Sequence, residues 1–169
     1  DPDSQHVRRC FDAAEFVVLQ EIFPSATSEY TDVLLPGTSF AERSGTFTNT
    51  ERRVQLFRQA IPPLGDSRPD WWIVAELAQR CLRMQDRTPV GRVAGWTYAG
   101  PAEIFDEARS LTPSYAGISH SRLDRGDALQ WPVPADDHPG TPILHVQSFS
   151  RGLGRFHAVD HLPPHEQPD

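Results

Sequence analysis

Three polar residues occupy positions where a folded chain could bind a nucleotide. Asp70 comes directly before a stretch with helical periodicity, and Gln20 and Glu21 directly follow an apolar run. A carboxylate accepts hydrogen bonds from the N–H and amino groups of a guanine edge, and the N–H groups at a helix N-terminus orient it. By position alone, an Asp before a helix is more often an N-cap, which is worth about 1 kcal/mol. Asp70 is compatible with both roles.

The setting of Gln20 and Glu21 is the end of a predicted strand. Phe16 to Leu19 is a continuous apolar run, which is typical of a strand buried on both faces in a parallel sheet. The carboxyl ends of such strands face the crevice where ligands bind. Gln20 could therefore hold a ribose hydroxyl, a phosphate or a base edge, with Glu21 as a weaker companion. A polar residue at this position is more often just the point where solvent begins.

Residues 15–37 are predicted to form a strand, a short helix and a second strand. The second apolar run, Val33 to Leu35, ends at the turn signal Pro36-Gly37. About ten residues separate the two runs, which is near the minimum for a crossover between parallel strands. This unit organises the predicted fold, because it places Gln20 and Glu21 at the edge of a sheet.

Asp70 to Met84 is predicted as a helix with one apolar stripe, formed by Val74, Leu77, Ala78, Cys81 and Leu82. Further predicted elements are a half-exposed strand, two helices and a hairpin: residues 53–60, residues 102–111, a short helix near 119–124, and residues 143–149 paired with 155–159. Gly45 is expected to supply the positive φ of a chain reversal.

Composition favours a loop-rich domain that does not bind nucleic acid. The chain has 169 residues, 16 Pro and 11 Gly, a formal net charge of -7 and no Lys, so that all 16 basic residues are Arg. Nucleic-acid surfaces need clustered Lys and Arg, which a pI near 5.4 does not favour. No apolar stretch approaches the ~18 residues of a membrane span. We expect a cytoplasmic location, a reducing compartment in which the two Cys stay free.

The cysteines and histidines predict no metal site. Cys10 and Cys81 are far apart and form no Cys-x-x-Cys motif, so free, buried thiols are expected and no iron–sulfur cluster. His157, His161 and His165 recur every four residues, but Pro163 and Pro164 break any helix that would align them. Solvated side chains are the better interpretation.

Three ordered blocks carry a resemblance to a known family. The strings "FVVLQEIFPSATSEYTDVLLPG", "SFAERSGTFTNTERRVQ" and "RPDWWIVAELA" resemble the molybdopterin oxidoreductases, most closely the large subunit of formate dehydrogenases. Thr31 replaces the Ala of the family's Ala-Asp-Val-Val-Leu-Pro segment, and Arg52 replaces the Gly of its Glu-Gly-Arg. The similarity covers nearly the whole chain. Because such subunits are several times longer, we expect an interior piece of a larger enzyme.

The resemblance implies an α/β fold, with a partial Rossmann-like parallel sheet and flanking helices followed by a loop-rich extension. Residues 1–90 would belong to a domain that binds molybdopterin guanine dinucleotide, and residues 91–169 would form the extension and a linker toward a further cofactor domain. The family uses the Asp of the Pro-Asp-Trp motif, here Asp70, to bind the guanosine end of the dinucleotide. The match favours binding at Gln20 and Glu21 as well.

The implied enzyme oxidises formate to carbon dioxide at molybdenum or tungsten, held by two pyranopterin guanine dinucleotides. Electrons would leave through a 4Fe-4S cluster in the preceding part of the subunit, toward partner subunits with iron–sulfur or flavin centres. The metal ligand and catalytic residues would lie outside this chain, which should be inert alone. The alternatives are a non-catalytic scaffold subunit of a respiratory complex and a stand-alone module that binds a guanine nucleotide or a protein.

Overall fold

The structure, a computed structural model, describes residues 3–84, 96–149 and 151–163. The chain divides into two compact units, one comprising Asp1–Leu35 with His145–Asp169 and the other comprising Pro36–Leu144. The predicted α/β class is confirmed, because helices are combined with small parallel and antiparallel sheets. The predicted division of the chain at residue 90 falls outside the described residues and stays a prediction.

The first unit contains one helix and the strand–helix–strand segment. Its elements are α1 Ser4–Ala13, β1 Val18–Glu21, a 3₁₀ helix Ala26–Tyr30 and β2 Val33–Pro36, which ends at the first residue of the second unit. Asp32 joins the two strands, because its Oδ2 accepts from the N–H of Val17 at 2.8 Å and its own N–H donates to the carbonyl of Val17 at 2.9 Å. The predicted order of elements is confirmed, with a 3₁₀ helix as the connection.

The prediction that the first of these strands is buried on both faces is wrong for the described chain. Phe16 is 64% exposed, and Val18, Val33 and Leu34 are also exposed. β1 and β2 form a sheet of two strands. Two strands by themselves do not exclude water from either face, so apolar side chains on both sides stay accessible. The apolar run therefore identifies the strand but not its surroundings.

The second unit is built on an antiparallel sheet with the strand order β3-β4-β5. These strands span Gly45–Thr48, Arg53–Phe57 and Leu129–Gln130. Gly45 lies inside β3 opposite Phe57, and a Cβ added there would meet the Phe57 ring at 3.2 Å. The glycine allows close approach across the sheet rather than the predicted reversal. The residue with positive φ in the β3–β4 turn is Arg52, at φ 64°.

The hydrophobic core lies in this second unit. Its buried members come from β4 and from the segment that follows α3: Val54, Ile118, Leu123, Leu129 and Val133. Phe105, Tyr115 and Trp131 are half-buried against them. Residues 112–142 consist largely of turns, yet their apolar side chains form most of the packed interior.

Three helices of the second unit have the expected positions. They are α2 Asp70–Met84, α3 Pro101–Leu111 and α4 His120–Asp124. In α2, the buried residues are Ile73 and Ala75, whereas Val74, Leu77 and Cys81 of the predicted stripe are exposed. The prediction of the helix is therefore confirmed, and the prediction of its buried face is wrong.

Two further predictions are wrong. Residues 143–149 and 155–159 do not form a hairpin; an isolated bridge joins Phe149 to Gly152, and residues 154–163 have no regular structure. The alternating apolar residues in this stretch remain exposed, so a strand pair would have no core to cover. Cys10 and Cys81 are free as predicted, but both are exposed rather than buried.

None of the helices in the described parts of the chain is long and apolar enough to cross a bilayer.

Candidate functional site

Asp70 is the first residue of α2. The carbonyl of Pro69 accepts hydrogen bonds from the N–H of Trp72 at 2.9 Å and of Ile73 at 3.1 Å, so Pro69 takes the capping position. The expected N-cap role of Asp70 is therefore displaced by one residue. Its carboxylate still lies in the first turn, where the positive end of the helix dipole favours a negative charge.

The Asp70 carboxylate forms an ion pair with Arg43. Nη1 of Arg43 contacts Oδ2 of Asp70, and the two side chains are 24% and 43% exposed. The pair joins the start of α2 to a segment nearly thirty residues earlier in the chain. Partial exposure leaves the carboxylate within reach of a ligand.

Arg43 is placed by a short capped helix. The 3₁₀ helix Phe40–Glu42 has a capping box in which Glu42 Oε2 accepts from the N–H of Ser39 at 2.8 Å. The other oxygen of Glu42 accepts from the N–H of Leu64, also at 2.8 Å. The hydrogen bonds from Ser39, and then that from Leu64, lower the pKa of Glu42 below its ordinary value. The residue directly before Arg43 is thus fixed on both sides.

A bridge between two backbone segments brings the end of β2 beside the start of α2. Gly37 pairs with Arg68 in parallel orientation, and the N–H of Arg68 donates to the carbonyl of Pro36 at 3.1 Å. Thr38 follows the bridge on one side, as Pro69 and Asp70 follow it on the other. The chain leaving β2 and the acid at the helix start are therefore neighbours.

Two buried polar atoms near this helix start have no protein partner. They are Oγ1 of Thr38, in a residue that is 1% exposed, and Nε of Arg43. Among the described residues, one further atom shares this condition, Nε2 of His120. Buried polar groups are normally paired, and those left without protein partners are often found where a ligand or water binds. The segment around Asp70 thus contains buried polar atoms that no protein contact satisfies.

Gln20 and Glu21 close β1 in the first unit, and both are half-buried. Oε1 of Glu21 accepts from the N–H of Ile22 at 2.9 Å, which turns that carboxylate toward its own backbone. Gln20 lies one residue earlier and belongs to the strand, as the sequence predicts. That these two residues and Asp70 bind the same nucleotide stays a prediction.

Sequence reasoning missed Arg43 and Thr38. Arg43 had a signal, because Ser39-x-x-Glu42 is a capping-box pattern that predicts a fixed turn just before the arginine. Thr38 had none, since a single Thr after Pro-Gly is common in surface loops. In both cases the role depends on the bridge between Gly37 and Arg68, which joins segments thirty residues apart.

Two of the three regularly spaced histidines lie in the part of the chain that the structure describes. His157 and His161 are exposed, and His165 lies outside the described residues. In the part of the chain that the structure describes, no cluster of three or more His, Cys, Asp or Glu side chains could hold a metal ion.

Comparison with known proteins gives the family. The model described as molybdopterin oxidoreductase matches residues 1–80. The F420-dependent formate dehydrogenase 2 subunit alpha of Methanococcus maripaludis is 43% identical, over 95% of this chain and 23% of the relative. The F420-dependent formate dehydrogenase subunit alpha of Methanocaldococcus jannaschii is 39% identical, over 100% of this chain and 24% of the relative.

A third relative comes from a bacterium. The protein named "Probable oxidoreductase YjgC" of Bacillus subtilis is 43% identical, over 88% of this chain and 14% of its own length. The chain thus spans about a quarter or less of the length of the curated relatives it matches. The resemblance seen in the three sequence blocks is confirmed: the first 80 residues match the molybdopterin oxidoreductase model, and formate dehydrogenase subunits are similar over nearly the whole chain.

Proposed function

We propose that this chain forms part of the pocket for the guanosine end of a molybdopterin guanine dinucleotide, within a formate dehydrogenase-like enzyme. The observation that carries the proposal is the Asp70 carboxylate, which is half-exposed at a helix start and paired with Arg43. The orphaned Oγ1 of Thr38 lies in the segment that the Gly37–Arg68 bridge joins to this helix start. The family assignment and the formate dehydrogenase relatives support the same reading.

The donor and acceptor pattern of the site fits a guanine base. The Watson–Crick edge of guanine presents two adjacent donors, N1–H and the 2-amino group. A carboxylate presents two acceptor oxygens at a matching spacing, and an ionised one forms stronger hydrogen bonds than a neutral acceptor. Asp70 would hold this edge. Gln20, with Glu21 beside it, would hold a ribose or phosphate of the dinucleotide.

The residues of this chain bind and orient in this proposal; none of them acts on formate. The bound cofactor would supply a molybdenum or tungsten centre for the two-electron oxidation of formate to carbon dioxide. The metal ligand, the 4Fe-4S cluster and the electron-transfer subunits belong to the proposed whole enzyme rather than to these 169 residues. A cytoplasmic location is part of the same proposal.

The nucleotide part of the proposal is tested by titrating the purified 169-residue chain with guanosine diphosphate, followed by calorimetry. We expect saturable binding that Asp70→Asn weakens by about tenfold or more, because a charge-assisted hydrogen bond becomes a neutral one at nearly constant shape. Circular dichroism melting identifies any loss of fold. Equal binding by parent and Asp70→Asn would remove Asp70 from the pocket.

The enzymatic part of the proposal has a separate readout. The chain by itself should give no formate-dependent dye reduction, even after incubation with the cofactor, because the groups that surround the metal lie elsewhere. Turnover by the purified chain would show that it contains a complete active site.

A further inference from the structure

We infer that Arg43 is a positioning residue, which holds the Asp70 carboxylate in the orientation that selects guanine over bases without the 2-amino group. This inference rests on the proposed function and adds a specificity-determining residue to it. Its basis is the ion pair between the two side chains, the rigid placement of Arg43 and the small stability that such a pair would supply by itself.

The contact constrains the carboxylate of Asp70. An Asp side chain rotates easily about Cβ–Cγ, so an unrestrained carboxylate presents its two oxygens in many orientations. Nη1 of Arg43 contacts Oδ2, which fixes one oxygen of the carboxylate. Because an ionised carboxylate has about four acceptor sites, Oδ2 can accept from Arg43 and from the base at the same time.

Arg43 can restrain Asp70 because its own backbone is held. Glu42 is bonded to Ser39 within the capping box and to Leu64 outside it. A restraint on one side, such as the capping box alone, would let the segment pivot. With both, the residue next to Arg43 is attached to residues 39 and 64, which restrains the segment that carries the guanidinium.

The charge of the pair also matters for selectivity. A guanidinium next to a carboxylate favours its ionised form, and the ionised form accepts both donors of a guanine edge. A hypoxanthine base offers N1–H but no 2-amino group, so it uses one fewer acceptor site. The ratio of the affinities for the guanine and hypoxanthine nucleotides therefore measures whether both oxygens of Asp70 are oriented toward the base.

A purely structural role makes a different prediction. Partly exposed ion pairs contribute little to stability, about 0–1 kcal/mol. Losing Arg43 should then change the melting temperature slightly and leave the ratio of nucleotide affinities unchanged. A positioning role changes the ratio whether or not the melting temperature moves.

The test compares Arg43→Met, Arg43→Lys and Asp70→Asn with the parent 169-residue chain, using guanosine and inosine diphosphates in calorimetric titrations. Arg58→Met is the matched control, because it removes another exposed Arg–Asp pair, between Arg58 and Asp124. We expect Arg43→Met to weaken guanosine diphosphate binding by about tenfold and to bring the ratio of the two affinities close to one. Arg43→Lys should keep an intermediate ratio, and Arg58→Met should keep the parent ratio.

The outcomes separate this inference from the proposed function. If Asp70→Asn loses guanine binding while Arg43→Met and Arg43→Lys keep the parent affinities and ratio, the positioning role is overturned and the pocket stands. If Asp70→Asn binds as the parent does, the pocket itself is overturned. Should Arg43→Met fail to fold, the ratio for Arg43→Lys decides: a parent-like ratio contradicts positioning and a reduced one supports it.

Discussion

The guanidinium of Arg52 donates to the main-chain carbonyl of Trp131, which lies 79 residues further along the chain. The same side chain donates to the carbonyls of Thr141 at 3.0 Å and Pro142 at 2.9 Å. In return, the N–H of Trp131 donates to the carbonyl of Arg52 at 3.0 Å. One turn residue thus joins the β3–β4 hairpin to both ends of the segment that follows β5.

This arrangement predicts an order of stability among substitutions of Arg52. Arg52→Ala loses three hydrogen bonds and keeps a left-handed backbone that a side chain disfavours, so we expect the free energy of unfolding to fall by about 2–4 kcal/mol. Arg52→Gly loses the same bonds but removes the strain, and should be about 1 kcal/mol more stable than Arg52→Ala. Urea unfolding measures both. A glycine variant as stable as the parent would show that the three bonds contribute no more than the strain that glycine relieves.

Burial of His120 predicts a dependence of stability on pH. The ring packs against Phe105 with centroids 5.6 Å apart, and burial lowers its pKa below 6.5, while Asp106 opposes the shift. The unfolded chain therefore binds a proton more readily than the folded one. Stability from this site is complete above the unfolded pKa and decreases as pH falls below about 6.5.

The measurement for His120 is the melting temperature of the parent and of His120→Gln between pH 5 and 8. The difference between the two proteins should change in favour of the variant as the pH falls. A difference that stays constant across this range would mean that His120 titrates alike in both states.

The lowered pKa of Glu42 also predicts a loss of stability in acid, here because hydrogen bonds favour the ionised form of the side chain. Its pKa is lowered chiefly by the hydrogen bonds from Ser39, so the folded chain holds the ionised form more strongly than the unfolded chain. This stabilisation is present above the unfolded pKa, near 4.5, and is lost as pH falls through the lower folded value. Glu42→Gln should melt below the parent at pH 7 and approach it at pH 3. Melting curves that stay equally far apart at both pH values would contradict this.

Gly45 predicts a steric effect that a matched glycine does not share. A Cβ at residue 45 would stand 3.2 Å from the Phe57 ring, whereas a Cβ at Gly100 would meet nothing within 4 Å. We expect Gly45→Ala to lower the free energy of unfolding by about 1–3 kcal/mol, as overpacked sites do. Gly100 is the N-cap of α3, where Ala is itself disfavoured, so the control is Gly154→Ala, whose Cβ would stand at an ordinary 3.5 Å from the Phe149 ring and should change stability little. Equal effects of the two substitutions in denaturant unfolding would show that the ring moves aside at no cost.

The sequence predicts local elements here better than it predicts burial. The bounds of α2 follow from periodicity and from Pro69, which are local properties. The exposure of Val18 and Val74 does not follow from local properties, because it depends on which elements pack against β1 and α2. Apolar periodicity identifies a face suited for burial, and a chain that spans a quarter or less of its relatives' length need not contain what would cover that face.

In the candidate site, too, local sequence patterns predict some residues, and the others depend on contacts between distant parts of the sequence. Asp70 was found because an acid before a helix has two recognisable roles, one of them supported by a family motif. Arg43 and Thr38 were missed because their contribution depends on the bridge between Gly37 and Arg68 and on the bond from Leu64 to Glu42. Contacts between residues so far apart in the sequence leave no periodic pattern.

The most direct test of the nucleotide pocket is an amide ¹H–¹⁵N correlation spectrum of the 169-residue chain during titration with guanosine diphosphate, with adenosine diphosphate as the control. If Asp70 binds the guanine edge, the backbone amides of Asp70 and Trp71 should shift together. They should saturate at the same guanosine diphosphate concentration and respond weakly to the adenine nucleotide. Unmoved amides at Asp70 and Trp71, or equal responses to both nucleotides, would contradict a guanine pocket at Asp70.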